Sequence, residues 1–156
     1  MTKKAIPVRS LFFDKNCQAN WSVPWHQDLT ITVKSKIETP GFYPWSIKAG
    51  VHHVQPPITI LESMITLRLH LDNTDVSNGC LSIIPRSHKQ GLLSSEEIQK
   101  LKSRAINCQA LAGDILVMKP LLVHSSKKAT EPSNRRVIHI EFSSVKLPNN
   151  LQWHTQ

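Results

Sequence analysis

No apolar run in this chain approaches the length of a membrane span. The opening residues Met1-Thr2-Lys3-Lys4 lead into Ala5-Ile6-Pro7-Val8-Arg9 without a signal-peptide core. The expectation is a cytoplasmic protein with no membrane partner. Cysteine is scarce as well. Cys17, Cys80 and Cys108 are odd in number and lack C-x-x-C spacing, which argues against a disulfide framework or a thiolate zinc site and predicts three free thiols. Internal repeats, low-complexity tracts and linkers are absent, so the 156 residues are expected to form one domain, 1–156, around one core. Acidic side chains are few, with 11 Asp and Glu against 19 Lys and Arg and a formal net charge of +8. That balance invites a nucleic-acid reading, but the lysines are scattered and no basic stretch is interleaved with aromatics that could stack bases. No nucleic-acid partner is expected. An anionic small-molecule substrate accounts for the charge equally well.

What is present is a succession of short β patterns. Residues 6–13 predict a first strand with Val8 and Phe12 on one face, and residues 24–33 a second. The segment 33–57, rich in Gly, Pro and aromatics, shows no clear period and is expected to be a lid or binding loop walling a substrate pocket. Residues 64–71 alternate cleanly: Ile65, Leu67, Leu69 and Leu71 face one way, Met64, Thr66, Arg68 and His70 the other. The second face is too polar for an ordinary core and suits a wet, charged cavity. Further strands are predicted at 80–84, 113–124 and 135–143. Ser94 followed by Ser95, Glu96 and Glu97 caps a short helix running to about Arg104. Short strands, one short helix and turn punctuation predict a mainly β fold, a double-stranded β-helix (jelly roll, cupin-like).

Within this frame, His26-Gln27-Asp28 places two metal-ligand side chains two residues apart, His124 follows ninety-six residues later, and Arg135 eleven after that. Residues i and i+2 of a strand share a face, so His26 and Asp28 can reach one ion while Gln27 points away. Two histidines and a carboxylate on one side of an iron leave open positions for a substrate acid and for O₂. Arg135 offers a planar fork of donors that suits a carboxylate. An isolated H-x-D is usually a surface pair, and a lone histidine is usually a satisfied core residue. It is the constellation that points to Fe(II), with His26, Asp28 and His124 as metal ligands and catalytic centre.

The runs VPWHQD (23–28), NGCLSIIPRSHKQG (78–91), AGDILVMKPLLVHSS (112–126) and RRVIHIEF (135–142) resemble the phytanoyl-CoA dioxygenase family of 2-oxoglutarate oxygenases, in order and from about Ile6 to Trp153. The resemblance implies a jelly roll holding Fe(II), with 2-oxoglutarate and O₂ as co-substrates. Oxidative decarboxylation to succinate and CO₂ would then be coupled to hydroxylation of a substrate C–H bond. His26, Asp28 and His124 match the iron ligands, and Arg135 the arginine that binds the distal carboxylate of 2-oxoglutarate. Arg136 competes for that role, but it shares a strand face with Ile138, Ile140 and Phe142 and is expected at a solvent edge.

Arg68 and Thr66, on the polar face of 64–71, are expected beside the co-substrate. Arg68 either pairs with Asp28, Asp114 or Glu141 or meets a ligand carboxylate, because an unpaired buried charge is costly. His139 shares the inward face with Arg135. His53, Gln55 and Trp25 are expected near the prime substrate, although tryptophans such as Trp21, Trp25 and Trp45 more often build core. Two rivals stand beside the oxygenase: a non-catalytic or decayed metal- and ligand-binding jelly roll, and a cupin-like isomerase. The family carries several dozen residues, helices included, before the segment matching Ile6, and this chain lacks them. We therefore expect an N-terminally truncated fragment, or a homodimer that covers the apolar sheet face formed by Ile65, Leu67, Leu69, Ile138, Ile140 and Phe142.

Overall fold

The computed structural model describes residues 4–131 and 133–155. In chain order the strands are β1 (Ile6–Lys15), β2 (Val23–His26), β3 (Ile31–Val33), β4 (Trp45–Lys48) and β5 (Val51–Val54). After helix α1 (Ile58–Ser63) come β6 (Ile65–His70) and β7 (Leu81–Ile83), and then helix α2 (Ser95–Leu101). The chain closes with β8 (Ile106–Cys108), β9 (Ile115–Met118), β10 (His124–Ser126) and β11 (Arg135–Ser143). Two four-stranded antiparallel sheets, ordered β1-β11-β6-β9 and β2-β10-β7-β8, form the jelly roll, and a three-stranded sheet β3-β5-β4 flanks it.

The alternation read in 64–71 is realised with the polar side inward. Thr66, Arg68 and His70 are buried, while Ile65, Leu67 and Leu69 stay half-exposed. Strand β11 continues the pattern, with Arg135, Val137, His139, Glu141 and Ser143 buried. On the outer face one row of cross-strand partners reads Phe12, Ile138, Leu69, Ile115. Phe12 is 59%, Ile115 55% and Val117 54% exposed, so this apolar face is uncovered in the chain as it stands. The largest apolar core lies at one end instead, where Val8, Ile31, Val54, Leu61, Met64 and Trp153 pack together. Between the two main sheets a smaller apolar cluster of Leu81, Met118 and Leu122 adjoins the buried polar side chains of β6 and β11.

Four expectations are corrected. Val8 and Phe12 do not share a face, because the β1–β11 register shifts between Pro7 and Arg9; the irregularity buries Val8 and turns Phe12 outward. The strand expected over 24–33 is two strands in different sheets, interrupted at Gln27–Thr30. The strand expected over 113–124 likewise breaks: β9 pairs with β6, the chain turns at Lys119–Leu122 around Pro120, and β10 joins the other sheet. The segment 33–57 is not a structureless lid. Its second half is the hairpin β4–β5, turned at Ala49-Gly50, where both residues have positive φ as a two-residue hairpin turn requires. The helix follows its cap: Ser94 Oγ accepts from Glu97 N–H and the Glu97 carboxylate accepts from Ser94 N–H.

Candidate metal centre

His26 ends β2 and His124 opens β10, and the two are cross-strand partners. Antiparallel partners project to the same side, which brings residues ninety-eight apart in sequence to one point. Asp28 lies past the end of β2. Strand alternation does not place it; its backbone N–H donates to Pro120 O at 2.9 Å and sets the bend. Gln27 points the other way and anchors that bend: Nε2 donates to Gly91 O and Leu121 O, and Oε1 accepts from Leu93 N–H.

The imidazoles are oriented alike. His26 Nδ1 lies 2.8 Å from Pro24 O and His124 Nδ1 lies 2.8 Å from Leu122 O. A carbonyl can only accept, so each Nδ1 carries the hydrogen and each Nε2 keeps its lone pair for a metal. Those lone pairs converge on one carboxylate, with His26 Nε2 3.3 Å from Asp28 Oδ1 and His124 Nε2 3.7 Å from Asp28 Oδ2. All three donor atoms lie within 4.8 Å of one another. Neighbouring donors around an ion with bonds of about 2.1 Å lie roughly 3 Å apart at right angles. The group therefore fits one ion bound on a single face, with His124 buried and His26 and Asp28 open to the cavity.

Electrostatics favour the deprotonated form at two of the three donors, His124 and Asp28, and the protonated form at His26. Burial brings the His124 pKa down to about 4, against the pull of Asp28. At His26 burial also disfavours the cation, but the Asp28 hydrogen bond and the Pro24 carbonyl outweigh it and hold the pKa above the ordinary value. Burial opposes the charge on Asp28 too, yet the two histidines keep its carboxyl well below the usual range.

The triad opens on a cavity of about 270 Å³ whose other walls include Arg68, Arg135 and His139. Arg135 is 3% exposed, and burial lowers its pKa; its Nε has no partner. Arg68 is 5% exposed, with its pKa pushed down to about 10 by burial and then by the charge of Arg135. Its Nη1 donates to His139 Nδ1 at 2.9 Å, its Nε is unpartnered, and its guanidinium sits 5.4 Å from the Phe13 ring centroid. Among the described residues neither arginine forms an ion pair with Asp28, Asp114 or Glu141. Glu141 is engaged by Arg9, 3.1 Å away. Buried guanidinium donors left open toward a cavity are a receptor for an anion. Arg136, in contrast, lies at the surface and pairs with Asp72 at 2.8 Å.

Lys15 adds a third cation that strand reasoning overlooked. It is 1% exposed, pairs in register with Arg135, and donates from Nζ to Ser126 Oγ at 3.0 Å and Lys127 O at 2.7 Å. Burial, and then Arg135, lower its pKa to about 8. Ser126 lines the cavity. Both residues were findable by parity: Lys15 continues the inward series Arg9, Leu11, Phe13, and Ser126 stands two residues after His124. Thr66 is buried on the inward face of β6, opposite Glu141, but does not line the cavity. Trp25 packs beside Ile84, Ile98 and Val123, and Trp21 takes the place on the cavity wall. His53 lines a second cavity, and Gln55 lines neither.

The model of the phytanoyl-CoA dioxygenase (PhyH) family matches residues 3–137. This chain belongs to the phytanoyl-CoA dioxygenase family. No curated protein matches it. Among solved structures it is similar to EvdMO1, with a TM-score of 0.64 and 24% identity over 90% of this chain and 27% of that one. It is also similar to AviO1 from Streptomyces viridochromogenes, with a TM-score of 0.60 and 24% identity over 93% of this chain and 52% of that one. A third is EctD from S. alaskensis with 2-oxoglutarate and 5-hydroxyectoine, with a TM-score of 0.64 and 15% identity over 90% of this chain and 45% of that one. At these identities the likeness establishes the jelly-roll fold, and the chain spans between about a quarter and a half of the lengths of these structures. The family is one of dioxygenase-like enzymes. Among the described residues, no helix is long and apolar enough to cross a membrane.

Proposed function

We propose that the protein is an Fe(II)- and 2-oxoglutarate-dependent dioxygenase that hydroxylates a small organic, anionic substrate. The observation that carries this reading is the convergence of the His26 and His124 Nε2 lone pairs on Asp28 at one wall of a cavity that also holds the unpaired guanidinium of Arg135. His26, Asp28 and His124 would hold the iron, which supplies activation of O₂ coupled to oxidation of the 2-oxo acid. Arg135 binds the distal carboxylate of 2-oxoglutarate. Lys15 reinforces that end through Ser126, and Arg68, fixed by His139, adds positive charge along the wall. Trp21, Leu11 and Phe13 bound the cavity with apolar surface, which excludes water from the reacting carbon and leaves the substrate few orientations.

The reading is tested by incubating the full chain with Fe(II), 2-oxoglutarate and O₂ and measuring succinate. Succinate formed in wild type and lost in Asp28→Ala supports it; succinate absent from wild type overturns it.

A second reading, a metal- and ligand-binding jelly roll without turnover, draws on the exposed outer sheet face, where Phe12, Ile115 and Val117 are each more than half in water. A homodimer through that face would remove these side chains from solvent and favours the enzyme reading.

A further inference from the structure

A second cavity, of about 360 Å³, opens beside the metal cavity, and Arg9 and Leu11 line both. It lies between the edge strand β1 and the flanking sheet. Lys48 and His53 come from the β4–β5 hairpin, and Thr32 is the register partner of His53 on β3. The C-terminal segment completes it, held by His154 N–H on Thr32 O at 3.1 Å and by Thr155 Oγ1 on Pro7 O at 3.3 Å.

The lining is basic and contains no carboxylate among the described residues. His53 is 4% exposed, yet its Nδ1 is buried with no hydrogen-bond partner. The ring makes no hydrogen bond among the described residues, so a ligand that reaches it from the cavity meets a free donor site. Burial, then the charges of Arg9 and Lys48, hold the His53 pKa below its ordinary value against the opposite pull of Glu141. Arg9 spends one donor on Glu141 and keeps others on the border between the two cavities.

We propose that this second cavity receives an oxyanion, a carboxylate or a phosphate group, at the end of the prime substrate remote from the carbon presented to the metal. The inference rests on the oxygenase reading for the word substrate, and on the cavity alone for the anion. The substrate is thus an acidic molecule long enough to pass Leu11. His53, as a neutral imidazole, donates a hydrogen bond to the oxyanion, and Lys48 and Arg9 supply the charge.

The test follows the histidine Cε1–H resonances of the full chain during titration with inorganic phosphate and, separately, with butanoate at constant ionic strength. Saturable movement of the His53 signal is expected with one of the two, and the tighter anion names the group. Lys48→Ala should weaken binding about fivefold, as for a rim charge worth roughly 1 kcal/mol. His53→Gln, followed through the His154 resonance on the same cavity wall, should weaken it further, and His52→Ala, on the other face of β5, should not alter it. Arg135→Ala should retain the binding. No saturable movement of His53 overturns the proposal, and so does unchanged affinity in Lys48→Ala or loss of binding in Arg135→Ala, which would put the anion in the metal cavity. Binding of 2-oxoglutarate is measured on the same samples. Its absence from wild type removes the oxygenase reading and leaves the anion cavity standing.

Discussion

His26 and His124 are direct partners in the antiparallel ladder between β2 and β10, and their ring centroids lie 4.2 Å apart. One ladder pair thus supplies two nitrogen donors, and the bend at Gln27 brings in the carboxylate. The metal affinity should consequently depend on each of the three. In an anaerobic Fe(II) titration, His124→Ala and Asp28→Ala should each weaken binding by at least about a hundredfold, roughly the loss of one strong charge-assisted contact or more. Wild-type affinity in His124→Ala would take that residue out of the site.

Proton competition at the centre should come from one histidine. The pKa of His124 is brought down to about 4, so it is already neutral across pH 5 to 7, while that of His26 is raised and this ring must lose a proton before it can coordinate. Below the raised His26 value, affinity should fall about tenfold per pH unit, the slope for one displaced proton. A hundredfold fall per unit, measured by competition with a chelator, would mean that both rings are protonated in the free protein.

The two neighbouring arginines should separate cleanly. Arg135 is buried on the cavity and Arg136 is paired with Asp72 at the surface. Arg135→Ala is expected to weaken 2-oxoglutarate binding by roughly 2–3 kcal/mol, about thirty- to a hundredfold, and Arg136→Ala to leave it nearly unchanged. Calorimetric titration with 2-oxoglutarate distinguishes them; the reverse order would place the wrong face of β11 inward.

Lys15 makes stability depend on pH in an unusual direction. Its folded-state pKa, about 8, is below the ordinary 10.5, so the unfolded chain binds this proton more tightly. The penalty is complete below about pH 8 and is relieved as pH rises toward 10.5. Relative to Lys15→Met, wild type should therefore gain on the order of 1–2 kcal/mol between pH 7 and 10, in denaturant titrations, whatever the offset at neutral pH. A gap that stays constant or moves the other way would show that the ammonium is not held at a cost.

The outer face of the large sheet should drive association. Phe12, Leu69, Ile138 and Ile115 form one uncovered row across four strands. Sedimentation of the 156-residue chain should show self-association that is weakened by Ile115→Lys or Phe12→Lys. A monomer that also fails to bind a dye for exposed apolar surface would contradict the dimer.

The facing of β6 and β11 was legible because alternation with period two is a property of neighbouring residues. The parity that put Arg68 and His139 inward and Arg136 outward needed no partner strand to be known. The Ser94 cap and its acidic first turn were equally local. The same reasoning failed where a distant contact intervened. The register shift at Val8 reversed the facing of Phe12, since a bulge is defined only against β11. The run 113–124 was apolar enough for a single strand, but β6 and β7 lie in different sheets and the chain must turn between them.

The sequence by itself determined which side chains could bind a metal and an acid, and which strand faces would carry them, because these follow from side-chain chemistry and backbone period. Only the tertiary structure decided that His26 opposes His124, that Trp21 rather than Trp25 walls the cavity, and that His53 belongs to a second one beyond Leu11. Those outcomes depend on sheet order and register. Both are set by contacts between residues up to more than a hundred positions apart, as in the Arg9–Glu141 pair, and no local pattern records them.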